Sequence, residues 1–251
     1  MKYLEFGLGQ KETILLLHGG GLSWWSFRKV VELLQTEYHI LLPILDGHAG
    51  SDRPFTTIEE NATEIISFID RHLGGSITMI GGLSLGAQIL LEMLSQRNDL
   101  CRYALVESAM VIPSKLTHAM IEPVFGSFYG LIKNRAFAKL QFRSLRMDPG
   151  LFEEYFRDTC RIPKKDMIAF LKANTSYALK PALQNCRADV RVVVGGREPK
   201  EMLRSAALIH GSLPESVMEI KEGLFHGEYS INHPEQYAAE LRDMLSRRKQ
   251  R

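Results

Sequence analysis

Short apolar runs alternate with longer stretches of helical periodicity along most of the chain. TILLL (13–17), YHILLP (38–43), SITMIG (76–81), RYALVES (102–108), VRVVVGG (190–196) and SVMEI (216–220) predict strands. Most of these runs are apolar at successive positions, so both faces of each strand are to be buried. Strands of that kind belong in a parallel sheet with helices covering either side. The clearest predicted helix is TTIEENATEIISFIDRHL, in which Thr57 and Glu60 have capping-box spacing and Ile58, Ala62, Ile65, Ile66, Ile69 and Leu73 keep one stripe. The last helix is predicted to begin near Asn232, with Pro234 in its first turn and Tyr237, Leu241, Met244 and Leu245 turned inward. Its basic tail, SRRKQR, suits a helix C-terminus.

The alternation stops between Pro113 and Pro181. That stretch has no convincing strand and is rich in aromatic residues, including Phe125, Phe128, Tyr129, Phe137, Phe142 and Phe170. It reads as several helices inserted between two strands, which divides the chain into a core of 1–112 plus 182–251 and an insertion of 113–181. Residues 113–180 carry 12 Lys/Arg against 6 Asp/Glu, while the remainder carries 19 against 23. A solvated helical surface is the simplest account of that excess. The aromatics suit packing against the sheet, and equally a lid over a pocket.

The whole chain has 251 residues and a formal net charge of +2, which argues against a dedicated nucleic-acid binder. Its three cysteines, Cys101, Cys160 and Cys186, share no metal-ligand spacing, and an odd number suggests free thiols in a reducing compartment. No apolar run is long enough to span a bilayer, and MKYLEFGLGQKET has no signal-peptide core. The expectation is a cytoplasmic protein with a small-molecule partner and no integral membrane association; the oligomeric state is left open.

Gly82-Leu83-Ser84-Leu85-Gly86 follows the third predicted strand. A G-x-S-x-G arises by chance in roughly one chain in ten of this length, so its surroundings decide its weight. Here a strand precedes it, and Ile89, Leu90, Met93 and Leu94 continue it as a helix face. A serine on so tight a strand-to-helix turn has its hydroxyl pushed out beyond the sheet, and the residues two before and two after must be small. The helix that starts there also points free N–H groups at the site, which favours developing negative charge. The plainer alternative is a serine N-cap with glycines for close packing. Earlier, His18-Gly19-Gly20-Gly21 follows the first predicted strand. An acyl-transfer site needs two backbone N–H groups for its oxyanion, and Leu85 with Gly20 or Gly21 would supply them. A phosphate loop ranks lower, since the spacing is not G-x-G-x-x-G and no Lys-Ser/Thr follows. His18 reads as a structural residue bonding within its loop.

Together these residues resemble the α/β-hydrolase fold, and the resemblance runs over nearly the whole chain: HGGG after a strand, LLPILDGHAGSDRP, the serine turn, a helical insertion, and a late acid and histidine. The loop departs from the usual pattern at Ile44, where Asp is common, and at Asp46, where Pro is common. The resemblance implies a mostly parallel eight-stranded α/β sheet, helices on both faces, and an inserted helical cap. It implies a serine hydrolase of the carboxylesterase-like kind, without metal or organic cofactor.

The family order of nucleophile, acid, histidine points to His226 in EGLFHGEYSINHPEQY, which matches the family's G-x-x-H…PE ending. His233 reads as a helix cap and His210 as a late helix residue. For the acid, Gly195-Gly196-Arg197-Glu198 has the family's G-x-x-D spacing with Glu in place of Asp, and Glu198 is favoured; Glu107, at the end of the preceding strand, is the rival. The expected catalytic set is therefore Ser84, His226 and Glu198. Other chemistries on this fold stay open: C–C bond hydrolysis, proline-type aminopeptidase, lactonase or non-hydrolytic lyase activity, and a ligand-binding receptor.

Overall fold

The structure is a computed structural model that describes residues 1–246. In chain order its elements are β1 (Tyr3–Phe6), β2 (Thr13–Leu17), α1 (Arg28–Leu34), β3 (His39–Pro43), α2 (Ile58–His72), β4 (Ile77–Leu83), α3 (Leu85–Gln96), β5 (Cys101–Glu107), α4 (Lys115–Phe128), α5 (Arg135–Ser144), α6 (Phe152–Thr159), α7 (Lys164–Ser176), β6 (Asp189–Gly195), α8 (Lys200–Ser212), β7 (Val217–Lys221), α9 (Glu228–Asn232) and α10 (Pro234–Ser246). Most of the basic tail falls beyond Ser246, outside the described residues.

The strands form one sheet of seven among the described residues, in the order β1-β3-β2-β4-β5-β6-β7. β1 is antiparallel to β3, and every other pairing is parallel. All six predicted strands form within two residues of their expected limits. The implied count of eight is corrected to seven, because the residues ahead of Thr13 supply a single strand that pairs directly with β3. That strand, β1, was not predicted. It has four residues, none fully buried, and an edge so short leaves little apolar signal.

The side-chain alternation of β2 shows how the two cores arise. Leu15 and Leu17 pack on one side of the sheet with α2 and α3, and Ile14 and Leu16 on the other with α1 and α10. The helices are specified locally as well. Thr57 Oγ1 accepts from the Glu60 N–H at 3.0 Å, Glu59 and Glu60 lie in the first turn of α2, and Arg71 and His72 in its last. Four helices, α4–α7, stand between β5 and β6 where the insertion was expected. Phe142 packs its ring 5.1 Å from Tyr155 and 5.5 Å from Phe152, and the Trp25 indole donates to Asp158 at 2.9 Å. Those contacts fix α5 and α6 to each other and to the core. Among the described residues no helix is long and apolar enough to cross a membrane.

The far edge of the sheet is closed by buried charge. Glu240 of α10 takes a hydrogen bond from Arg191 of β6, from Lys221 of β7 at 2.8 Å and from the Tyr229 hydroxyl of α9 at 2.6 Å. Glu240→Ala would remove the most closely bound carboxylate from Arg191 and leave it Glu219 at 3.4 Å and Asp243 at 3.5 Å. It should cost about 2 kcal/mol, less than the penalty for a fully orphaned buried charge, seen as a lower urea midpoint with an unchanged slope.

Candidate active site

The chain leaves β2 towards β3 on one side and returns to β4 on the other, so the C-terminal ends of β2 and β4 are neighbours at the point where strand order reverses. A crevice opens at such a point. Into it run the His18-Gly19-Gly20-Gly21 segment after β2 and Ser84 after β4. Ser84 has φ 53° and ψ −113°, a conformation that few side chains tolerate. Its N–H donates to the Glu107 carbonyl at 2.9 Å, which pins the turn to β5. A methyl group on Gly86 would stand 2.2 Å from the Leu17 carbonyl oxygen, and one on Gly82 would stand 2.6 Å from the Gly86 oxygen. Only hydrogen fits at either position, as the steric reading of the motif requires. Ser84 is N-terminal to α3, so the Leu85 N–H is one of the free first-turn donors.

The glycine segment is held by two histidines. His18 donates from Nδ1 to the Gly19 carbonyl at 2.9 Å and accepts the Leu45 N–H at Nε2, 3.2 Å away. His48 donates from Nδ1 to the Asp46 carbonyl at 3.0 Å and accepts the Gly21 N–H at Nε2, also 3.0 Å. Burial depresses both imidazoles, His18 to about 3 with His48 adding to the effect, and His48 to about 4. Both rings are therefore neutral, each with its proton on Nδ1. Of the two candidate glycines, Gly21 already donates to His48, whereas the Gly20 N–H has no hydrogen bond among the described residues. His48 was not singled out from the sequence; its signal is a histidine enclosed by Gly47, Ala49 and Gly50 in the loop after β3.

On the other side of the crevice, a methyl group on Gly195 would stand 2.5 Å from the Leu224 carbonyl oxygen. This close approach brings the loop carrying His226 against the end of β6. His226 Nδ1–H donates to Glu198 Oε2 at 2.7 Å. Glu198 Oε1 accepts from the Ser108 hydroxyl at 2.6 Å and from the Gly195 N–H at 2.7 Å. Burial raises the carboxyl's pKa, but the bonds from His226, Ser108 and Gly195 outweigh it and hold Glu198 below the usual carboxylate range. Ser108 also escaped sequence reasoning. It follows β5 in a left-handed conformation, φ 54°, that no local pattern announces.

Ser84, Glu198, His226, Gly20 and Gly21 all line one cavity of about 370 Å³, whose wall is mainly apolar and includes Leu22, Phe125, Ile132, Met167 and Phe170. That volume suits a small ligand. Among the described residues no three His, Cys, Asp or Glu side chains are grouped to hold a metal ion.

The model of the alpha/beta hydrolase family matches residues 14–240. The chain belongs to this family. It is 26% identical over 225 residues to an uncharacterized hydrolase, YugF, of Bacillus subtilis (strain 168), an alignment covering 83% of this chain and 81% of that one. Its fold is similar to an esterase from Exiguobacterium antarcticum, with TM-score 0.82 and 16% identity over 98% of this chain and 95% of that one. It is also similar to a thermophilic esterase from Thermogutta terrifontis, with TM-score 0.78 and 19% identity over 97% and 92% of the two chains.

Within this α/β hydrolase the two candidate acids have separate surroundings. Glu107 makes no hydrogen bond with His226. It is fully buried, takes the Ser230 N–H at 3.2 Å on Oε1, and has no partner for Oε2 among the described residues. Burial pushes its pKa up to about 7. Its contribution to stability is thus complete below its unfolded value near 4.5 and is lost as pH rises through about 7. Glu107→Gln should accordingly gain stability relative to the parent hydrolase as pH rises, by about 3 kcal/mol between pH ~4 and ~8. Paired urea titrations across that range measure the difference.

Proposed function

We propose that this hydrolase cleaves an ester or related acyl bond of a small, largely apolar substrate through an acyl-enzyme. One observation carries the reading: Glu198 fixes the proton of His226 on Nδ1, and this imidazole shares the apolar cavity with Ser84. That tautomer leaves Nε2 with a lone pair able to take the Ser84 proton. Ser84 Oγ then attacks the carbonyl carbon, and the carbonyl π electrons move onto oxygen. The N–H groups of Leu85 and Gly20 receive that oxyanion, aided by the positive end of α3. As the tetrahedral centre collapses, the bond to the leaving alcohol breaks and His226 Nε2–H protonates its oxygen. Water next attacks the acyl-enzyme as His226 takes its proton, and the ester bond to Ser84 then breaks as His226 Nε2–H returns that proton to Oγ, releasing the acid and restoring neutral His226 and Ser84. Ionised Glu198 stabilises the imidazolium in both halves.

The insertion acts as the cap of the site, since Phe125, Ile132, Met167 and Phe170 supply much of the apolar wall. His48 serves the oxyanion side indirectly. By occupying the Gly21 N–H it sets the loop so that Gly20 is the donor. The esterase names of the structural neighbours agree with acyl transfer, and they are properties of those proteins.

Ser84→Ala should abolish turnover of short p-nitrophenyl esters and labelling by a serine-directed phosphonate. Full activity in that variant would end the proposal. Glu198→Gln should lower kcat by about 10³–10⁴, as in other triads with the wrong imidazole tautomer. Glu107→Gln should stay within about threefold of the parent, because a buried carboxylate without a bond to the imidazole does not set its tautomer. The same panel extended to an aminoacyl-proline amide, a lactone and a vinylogous diketone separates esterase activity from other chemistry on this fold.

A further inference from the structure

The insertion has an outer surface that the catalytic reading does not use. Eight of the thirteen large apolar side chains exposed among the described residues lie between Leu116 and Leu145. Four of them, Leu116, Met120, Val124 and Phe128, are 78%, 50%, 40% and 58% exposed and recur every four residues on α4. That spacing puts them on one helix face. Phe137 and Leu140 are exposed on α5, the latter at 67%. Exposed apolar side chains concentrated in this way on a protein surface mark an interaction site.

The charge of the same segment identifies what covers it. Residues 115–146 contain six basic residues and one acidic residue, Glu122. Glu122 is already paired with Lys172, and Arg135 with Glu153. Lys115, Lys133, Lys139 and Arg143 have no acidic partner among the described residues, although ion pairs are common elsewhere on the molecule, whereas Arg146 stacks on Phe225 at the cavity. Lys139 and Arg143 flank Leu140 on α5 and are exposed with it. A second copy is a poor occupant, because a two-fold contact through this segment would bring its four unpaired cations towards four others. A nucleic acid would leave the apolar stripe uncovered. Apolar side chains interspersed with long cationic ones are the composition that enters the headgroup region of an anionic bilayer: the apolar groups reach the acyl boundary and the cations stay among phosphates.

We propose that the α4–α5 segment is a peripheral docking surface for anionic lipid bilayers. The segment also forms part of the cavity wall, through Phe125, Ile132, Leu145 and Arg146, so a docked molecule has its cavity beside the lipid surface. Docking is independent of the acyl chemistry, and the two can fail separately.

The test is sedimentation of the full chain with phosphatidylcholine vesicles, with and without about 30% phosphatidylglycerol, at low and high salt. The expected result is at least about tenfold stronger partitioning onto the anionic vesicles, lost at high salt. Lys139→Gln with Arg143→Gln should weaken it by about tenfold, and Leu116→Ser with Phe128→Ser should weaken it comparably. Both pairs are exposed, and far-UV circular dichroism checks that each variant folds. Ser84→Ala should bind as the parent does, so loss of turnover leaves docking readable. Equal partitioning onto neutral and anionic vesicles, or none onto either, overturns the proposal. So does a dimer in light scattering that Phe128→Ser dissociates, which assigns the face to a second copy.

Discussion

The approach of α3 to the end of β2 is the constraint on which the site depends. Gly86 lies so close to the Leu17 and His18 carbonyls that one added carbon would come within 2.6 Å of both oxygens. This contact sets the free N–H groups at the start of α3 beside the glycine segment after β2. It also holds Ser84 in a conformation that its own backbone disfavours, and the energy for that comes from the surrounding packing. α3 can supply it because every residue from Leu85 to Leu94 is buried. A looser helix would relax the turn and carry the serine back towards the sheet.

The second determinant is how the interior sorts its charges. Four titratable groups are buried around the crevice, and burial acts on all of them in the direction of neutrality. His18 and His48 yield to it, with backbone groups satisfying both ring nitrogens of each, and Glu107 yields to it because a single backbone N–H is all that meets its carboxylate among the described residues. Glu198 resists it because three donors converge on its two oxygens, one of them the imidazole of His226. Two carboxylates from adjacent strands thus acquire different states without any difference in chemical type. The environment that keeps Glu198 ionised is the one the proposed mechanism needs, and the environment of Glu107 would oppose it.

The insertion works on both of its faces. Inward, Phe125 and Phe170 line the cavity, with Phe170 stacked 4.6 Å from the His48 ring and so in touch with the segment that His48 orders. Outward, it concentrates exposed apolar surface and unpaired positive charge. The excess of basic residues was visible in composition, where a solvated helical surface was its simplest account. Their separation from acidic partners, and the alignment of apolar residues along α4, depend on which side of each helix is covered by the rest of the fold.

Much of this protein was determined by the sequence alone. Doubly apolar strands, helical stripes and the serine between two glycines specify a parallel sheet with a tight turn at β4–α3, because these features rest on local periodicity and local sterics. The spacing Gly195-Gly196-Arg197-Glu198 also singled out a carboxylate. Other features were beyond its reach. β1 is too short to show a pattern, and the count of seven strands follows from how it pairs. His48 and Ser108 act through partners 27 and 90 residues away, at Gly21 and Glu198. Of the two candidate carboxylates it is Glu198 that bonds His226 Nδ1, and of the two glycines it is Gly21 whose N–H is taken by His48; neither contact has a local signal in the sequence. A hydrogen bond depends on distances of a few tenths of an ångström between segments remote in the chain, and only the packed tertiary structure fixes those.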